Sequence, residues 1–251
     1  MNPPTLLNGA TWHSTDGLAT FAYSYAFQPI VDITSGAVYS YEALLRGQEG
    51  QSAAQTLARV PAAEMHAFDR ASRMRAVAFA AQLGLQSHLN LNVLPQSLLT
   101  STTTITSTVA VAKHWQIPVE QLILELLEGE VIHDSRQIAD ILREYRSMGG
   151  HIAIDDFGSG YSGLNLLADF QPDFIKLDRN LVHEIEGNGP RQAIVRAIVQ
   201  VCGDLGIDVI AEGIETRDEF QWLIEEDIHL FQGYFLARPA FERLPTIQLS
   251  K

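Results

Sequence analysis

Asp155 and Asp156 stand side by side at the end of an apolar run, in the stretch IAIDDFGSGYSGLNLL at residues 152–167. Two adjacent carboxylates with no basic neighbour in the chain repel each other unless a proton or a cation lies between them. Further acids are placed in the same way: Glu42 in AVYSYEALL, Glu125 in QLILELL and Glu212 in DVIAEG, each late in a short apolar run. Asn92 in HLNLNVL, Lys176 and Asp178 in DFIKLD, and Gln232 in HLFQGYF occupy equivalent places. One polar residue at a strand end is ordinarily a helix cap or a loop hydrogen bond. Five carboxylates around one rim call for a cation, and donors that are all oxygen favour Mg2+ or Mn2+. Two such ions roughly 3.5–4 Å apart can activate a water and clamp the oxygens of an in-line phosphoryl displacement. Lys176 fits as a protonated neighbour that orients the water, with an ion pair to Asp178 as its structural alternative. Arg46 shares a strand face with Glu42 and could fork onto a phosphate oxygen.

Short apolar runs carry these residues, at 27–33, 37–45, 88–94, 121–127, 151–156, 173–178, 208–213 and 229–235. Helical patterns lie between most of them, such as 63–84, 134–149 and 191–206, and each of these three ends at a glycine, a frequent helix stop. Strands alternating with helices predict parallel βαβ units, and eight runs are the count of an α/β chain folded as a TIM-like (β/α)8 barrel. In such barrels the active site sits at the C-terminal ends of the strands, where the acids stand. Only TSG separates the first two runs, too short for a helical crossover, so the barrel is expected to start irregularly with an antiparallel first strand. Residues 1–20 read as an N-terminal tail or linker, and residues 21–251 as one barrel domain.

Composition narrows the partners. The 251 residues hold 17 Lys and Arg against 30 Asp and Glu, a formal net charge of −13. No basic patch is present, which argues against a DNA or RNA polymer as ligand. A small anion remains acceptable where metal ions supply the positive charge. No window approaches the roughly 20 apolar residues of a membrane span, and the N-terminus lacks the pattern of a signal peptide. Cys202, the single cysteine, lies in a helical pattern and reads as packing, so a reducing, cytoplasmic setting fits. The eight histidines show no paired zinc spacing. DFG at 156–158 lacks the other kinase signatures, and GSGYSG lacks the ending of a P-loop; the latter's glycines suggest a segment able to gate the site.

The motifs YEALLRG, LNLNVLP, ELLE, DDFGSGYSGLNLL, IKLD, AEGIET and QGYFLARP, in this order over roughly residues 25–245, resemble the EAL-domain cyclic di-GMP phosphodiesterases. The GLNLLADFQPDFIKLDRNLV segment is most similar to the branch in which the domain follows a blue-light sensor. The resemblance implies a metal-dependent phosphodiesterase that linearises cyclic di-GMP to pGpG by a two-metal mechanism in bacterial second-messenger signalling. It implies metal ligation by Glu42, Asn92, Glu125, Asp155, Asp156 and Glu212, with Asp155 bridging, and water activation by Lys176. Gln28, Arg46, Asp178, Glu215 and Gln232 match positions that line the substrate or support the metal shell. Glu128 resembles the acid that steadies the loop after the fifth predicted strand, a loop tied to dimerisation. Asn90 shares the strand face of Asn92, and alternation leaves the two open; the resemblance favours Asn92. A homodimer and a regulatory partner or sensor domain outside this chain are further implications. Leu127 departs from the family's usual threonine in ELLE. That leaves a rival reading, a catalytically silent cyclic di-GMP receptor acting through protein contacts.

Overall fold

A computed structural model describes residues 10–13, 20–100, 103–128, 135–159 and 163–247. Eight strands close a ring: β2 (Thr20–Asp32), β3 (Ala37–Gly47), β4 (His88–Asn92), β5 (Leu122–Leu127), β6 (His151–Phe157), β7 (Phe174–Leu177), β8 (Asp208–Ala211) and β9 (Leu230–Phe231). From β3 to β9 neighbours run parallel, whereas β2 is antiparallel to both β3 and β9. The fold is thus the expected α/β barrel with an irregular start. The other edge of β2 also pairs with β1 (Ala10–His13) and β10 (Ala240–Phe241). Ala10–His13 fall in the segment read as tail, yet they form an edge strand in register with Thr20–Tyr23. The rest of that segment, 1–9 and 14–19, lies outside the described residues, as do residues 160–162 of the predicted gating segment.

Helices cover the outside: α1 (Ala53–Leu57), α2 (Met65–Gln82), α3 (Pro95–Thr100), α4 (Thr103–His114), α5 (Ser135–Ser147), α6 (Gly163–Asp169), α7 (Arg179–Val182), α8 (Gly189–Leu205) and α9 (Arg217–Glu225). Strand alternation sorts each strand between two environments. On β5, Leu122, Leu124 and Leu126 face the helices and join the main core, while Ile123 and Glu125 face the lumen. Ile30, Ile123, Ala153, Phe174, Ile210 and Leu230 form a separate apolar plug inside the barrel. Two residues further along, towards the strand ends, the same strands carry Glu125, Asp155, Lys176, Glu212 and Gln232. The charged layer therefore rests on a packed floor. Cys202 is buried on α8, where burial lifts its thiol to about 12, in keeping with a packing role.

Asp173, between α6 and β7, ties the far end of the barrel together. Its carboxylate accepts from the Ile152 amide at 2.9 Å and from Arg146 at 3.0 Å. Burial opposes the charge, but the bonds from His151 and Ile152 and the Arg146 guanidinium outweigh it, holding the carboxyl below its ordinary 3.8. A lowered value stabilises the fold above that ordinary value and is lost as pH falls through the folded one. With Arg146 on the surface the effect is modest, about 1 kcal/mol. Asp173→Asn should lower the melting midpoint by roughly 2–4 °C at pH 7 and by much less near pH 3, as read by calorimetry.

Candidate active site

Lys176 is fully buried at the centre of the strand ends. Its Nζ lies 2.6 Å from Glu212 Oε1, 2.8 Å from Glu125 Oε1, 3.3 Å from Asp155 Oδ1 and 3.4 Å from Glu42 Oε2. Among the described residues its ion-pair partners are these four acids and not Asp178. Asp178 instead caps α7, its Oδ1 accepting from the Asn180 amide at 2.9 Å. Lys176 is thus the expected protonated neighbour of the acids, and its central depth among four of them is what alternation, which assigns a face and not a depth, leaves open.

Further donors fix the ring. Glu42 accepts from Asn92 Nδ2 at 3.0 Å on Oε1 and from Gln232 Nε2 at 2.9 Å on Oε2. Asn90 Nδ2 donates to Glu125 Oε1 at 2.7 Å. The two aspartates reach the site through a backbone irregularity. Simple alternation would send Asp155 and Asp156 to opposite faces of β6. A register shift between Ile154 and Phe157, with Asp156 at φ +54°, turns both towards the rim. Aspartate tolerates that left-handed conformation better than most residues.

The carboxylates fall into two trios, Glu42–Glu125–Asp155 and Asp155–Asp156–Glu212, each with ligand atoms within 4.8 Å of one another. Asp155 belongs to both, the arrangement expected of a bridging ligand. Burial opposes the Lys176 ammonium, yet Asp155, Glu125, Glu212 and Glu42 outweigh it and hold it well above its usual value. Burial also acts on the acids. It raises Glu125 to about 8, with Glu42 and Asp155 adding to Lys176's incomplete compensation. Glu212 is pushed well above the carboxylate range by burial and its acid neighbours, although it touches Lys176, because one ammonium is shared among four acids. Asp156 is raised by burial, Asp155 and Asp178. In Glu42 burial is outweighed by Lys176 and by the Gln232 and Asn92 amides, so it lies low. Glu125, Glu212 and Asp156 thus hold protons more tightly than free carboxylates do, and a divalent cation can take the place of those protons. Glu125 Oε2, buried and without a donor among the described residues, is an oxygen of the kind a hard cation takes.

A cleft of about 410 Å3 opens over this layer, its walls including Gln28, Asp178, Arg179, Glu215, Gln232 and Tyr234. Arg46 is not on those walls; its NH1 donates to the Leu45 carbonyl at 2.8 Å. Glu215 pairs with Arg179 at 2.8 Å across the rim. Arg179 and Tyr234 were not singled out in the sequence, although both lie inside quoted stretches, GLNLLADFQPDFIKLDRNLV and QGYFLARP. Glu128 is buried, and its Oε2 accepts the Gly158 amide at 2.9 Å, at the start of the loop after β6.

Residues 17–239 match the family model described as EAL domain. The chain belongs to the EAL domain family. It is 34% identical to BluF of Escherichia coli, a blue light- and temperature-regulated antirepressor, over 89% of this chain and 56% of BluF. It is 33% identical to the cyclic di-GMP phosphodiesterase PA2567 of Pseudomonas aeruginosa, over 86% of this chain and 38% of that protein. The chain thus spans less than two thirds of these relatives. Among solved structures, a standalone EAL protein of Vibrio cholerae in its cyclic di-GMP-bound form is 42% identical, with a TM-score of 0.87, covering 91% of this chain and 96% of that one. A calcium and cyclic di-GMP complex of Klebsiella pneumoniae BlrP1 also gives 0.87, at 37% identity over 97% of this chain and 63% of that one. Among the described residues, no helix of this EAL domain is long and apolar enough to cross a membrane.

Proposed function

We propose that this EAL domain hydrolyses cyclic di-GMP to linear pGpG with two divalent cations, Mg2+ or Mn2+, in its active site. The observation that carries the reading is the pair of carboxylate trios sharing Asp155 around a buried lysine. Glu42, Asn92, Glu125 and Asp155 would hold one cation, and Asp155, Asp156 and Glu212 the other. When bound, the cations supply positive charge at the phosphodiester and make a water more acidic. Asn92 spends its amide N–H on Glu42, which leaves its carbonyl oxygen for a metal. Lys176, with its Nζ among four acids, acts as a charged donor that orients the water and offsets charge developing on phosphate. Gln28, Asp178, Glu215 and Gln232 present amide and carboxylate groups to the nucleotide along the cleft, and Arg179 is the guanidinium on its wall for phosphate; Arg46 would have to leave the Leu45 carbonyl to take that role. Glu128 holds the loop after β6 through Gly158. A cytoplasmic setting, a homodimer, a regulatory partner or sensor domain, and residues 21–251 as the catalytic unit belong to the same proposal.

The test is to incubate the purified protein with cyclic di-GMP and Mg2+ or Mn2+, with a chelated control, and separate the nucleotides by chromatography. Metal-dependent pGpG is the expected product. Two observations favour the receptor reading: BluF is named an antirepressor, and Leu127 departs from the usual threonine beside Glu128. Intact nucleotide together with calorimetric binding would establish that reading instead.

A further inference from the structure

Asn90 is not among the residues assigned to metal, water or nucleotide, yet it is fully buried and touches the site from below. It faces the lumen of β4, opposite Glu42 on β3 and Ile123 on β5, one layer beneath Asn92, which is level with Glu125. From that depth its Nδ2 reaches Glu125 Oε1 at 2.7 Å. The same oxygen meets Lys176 Nζ at 2.8 Å. Among the described residues both donors to Glu125 therefore converge on one oxygen, and Glu125 Oε2 is left buried with no donor, as Asn90 Oδ1 is left buried with no partner.

Glu42 shows the contrast, since both its oxygens receive amide donors. A buried carboxylate can rotate about its last torsion, and the two orientations are equivalent unless its surroundings distinguish them. Lys176 alone does not distinguish them, because the ammonium is shared with Asp155, Glu212 and Glu42. Asn90 adds a directional donor aimed at one oxygen.

We infer that Asn90 is a positioning residue that pins Glu125 Oε1 and thereby presents Glu125 Oε2 to the cation. The inference rests on the metal reading of the site. Outer donors of this kind orient metal ligands, and their loss typically weakens metal binding about 10–100-fold. Asn92, by contrast, stands at the open end of β4 and is a ligand candidate in its own right, so the two asparagines of one strand face divide the work: the outer binds, the inner aims.

The experiment measures Mn2+ binding to the purified full chain by calorimetry and by the electron paramagnetic resonance of free Mn2+. Four proteins are compared: wild type, Asn90→Leu, Glu125→Gln and the double variant. Leucine matches the shape of asparagine without the donor, and Asn90→Ala serves if leucine does not fold, with the melting midpoint in chelator as the folding control. Asn90→Leu should weaken Mn2+ binding roughly 10–100-fold. In the Glu125→Gln background the same change should shift affinity less than about twofold, because residues acting through one contact are not additive. Wild-type affinity in Asn90→Leu, or an equal loss in both backgrounds, would overturn the positioning role while leaving the metal site intact. Wild-type protein that takes up no Mn2+ would overturn the metal reading itself, and the inference with it.

Discussion

Lys176→Met should lower turnover of cyclic di-GMP about 10³-fold while leaving its binding within a few-fold, since a positioned charged donor typically contributes that much to the chemical step. Methionine keeps the apolar stem over the plug and removes only the ammonium. The same substitution carries a second, independent signature. Removing one partner of a buried charge network destabilises by about 3–5 kcal/mol, because the remaining charges lose their compensation. In chelator the melting midpoint should therefore fall by roughly 10 °C. Added Mn2+ should restore much of the loss, as the cations take over the carboxylates. Stopped-assay kinetics and calorimetry on one preparation read both effects. A receptor would show the stability loss without any turnover to lose, and a variant with wild-type turnover would remove Lys176 from the reaction.

Metal removal should make stability fall as pH rises. Glu125 is held at about 8, above its ordinary 4.5, first by burial and then by Glu42 and Asp155. A raised carboxyl favours the folded state while it is protonated. Its contribution is complete below the ordinary value and is lost as pH climbs from there through about 8. Metal-free protein should thus lose melting temperature between pH 5 and about 8. Cations need the deprotonated carboxylates, so they should bind more tightly and release protons over the same window. At one hundred times its dissociation constant a cation adds about 2.7 kcal/mol, roughly 5–10 °C for a chain of this length. The rise on adding Mn2+ should be larger at pH 8.5 than at pH 6. Equal rises at the two values would mean that the carboxylates are not competing with protons for the ion.

The barrel strands were legible because apolar alternation ended, strand after strand, in a polar residue. The hairpin of β2 and β3 followed from the three residues between the runs, and the pairing of Gln28 with Glu42 bears it out. Other features had no local signal. β1 is four residues long and lies in a polar segment, so its pairing depends on the edge that β2 offers. α4, the Thr-rich TTITSTVAVAKH, is poor in strong helix formers and forms because its apolar face packs on α2 and the core. The run 229–235 shrinks to Leu230–Phe231, since Gln232 bonds the Ala211 carbonyl and the chain then turns at Gly233 against Ile214. At the site, the acids could be read as a rim. Their convergence on Lys176, the kink that turns Asp156, and the choice of Glu125 oxygen all depend on how neighbouring strands are staggered, which no single strand encodes.

The antiparallel closing strand has a consequence for how the molecule comes into being. Gln232 reaches Glu42 across 190 residues of chain, and β9 meets β2 through only two residue pairs. Contacts so distant in sequence form late and slowly, after most loop entropy has been lost. A nascent chain that ends before β9 carries all five acids on an open sheet, with no partner yet for the free edge of β8 or for Val31 and Asp32 on that side of β2. Such edges recruit other chains. Residues 230–232 therefore act as a latch: until they pair with β2 and β8, the carboxylates are present but the ring that gathers them around Lys176 is open.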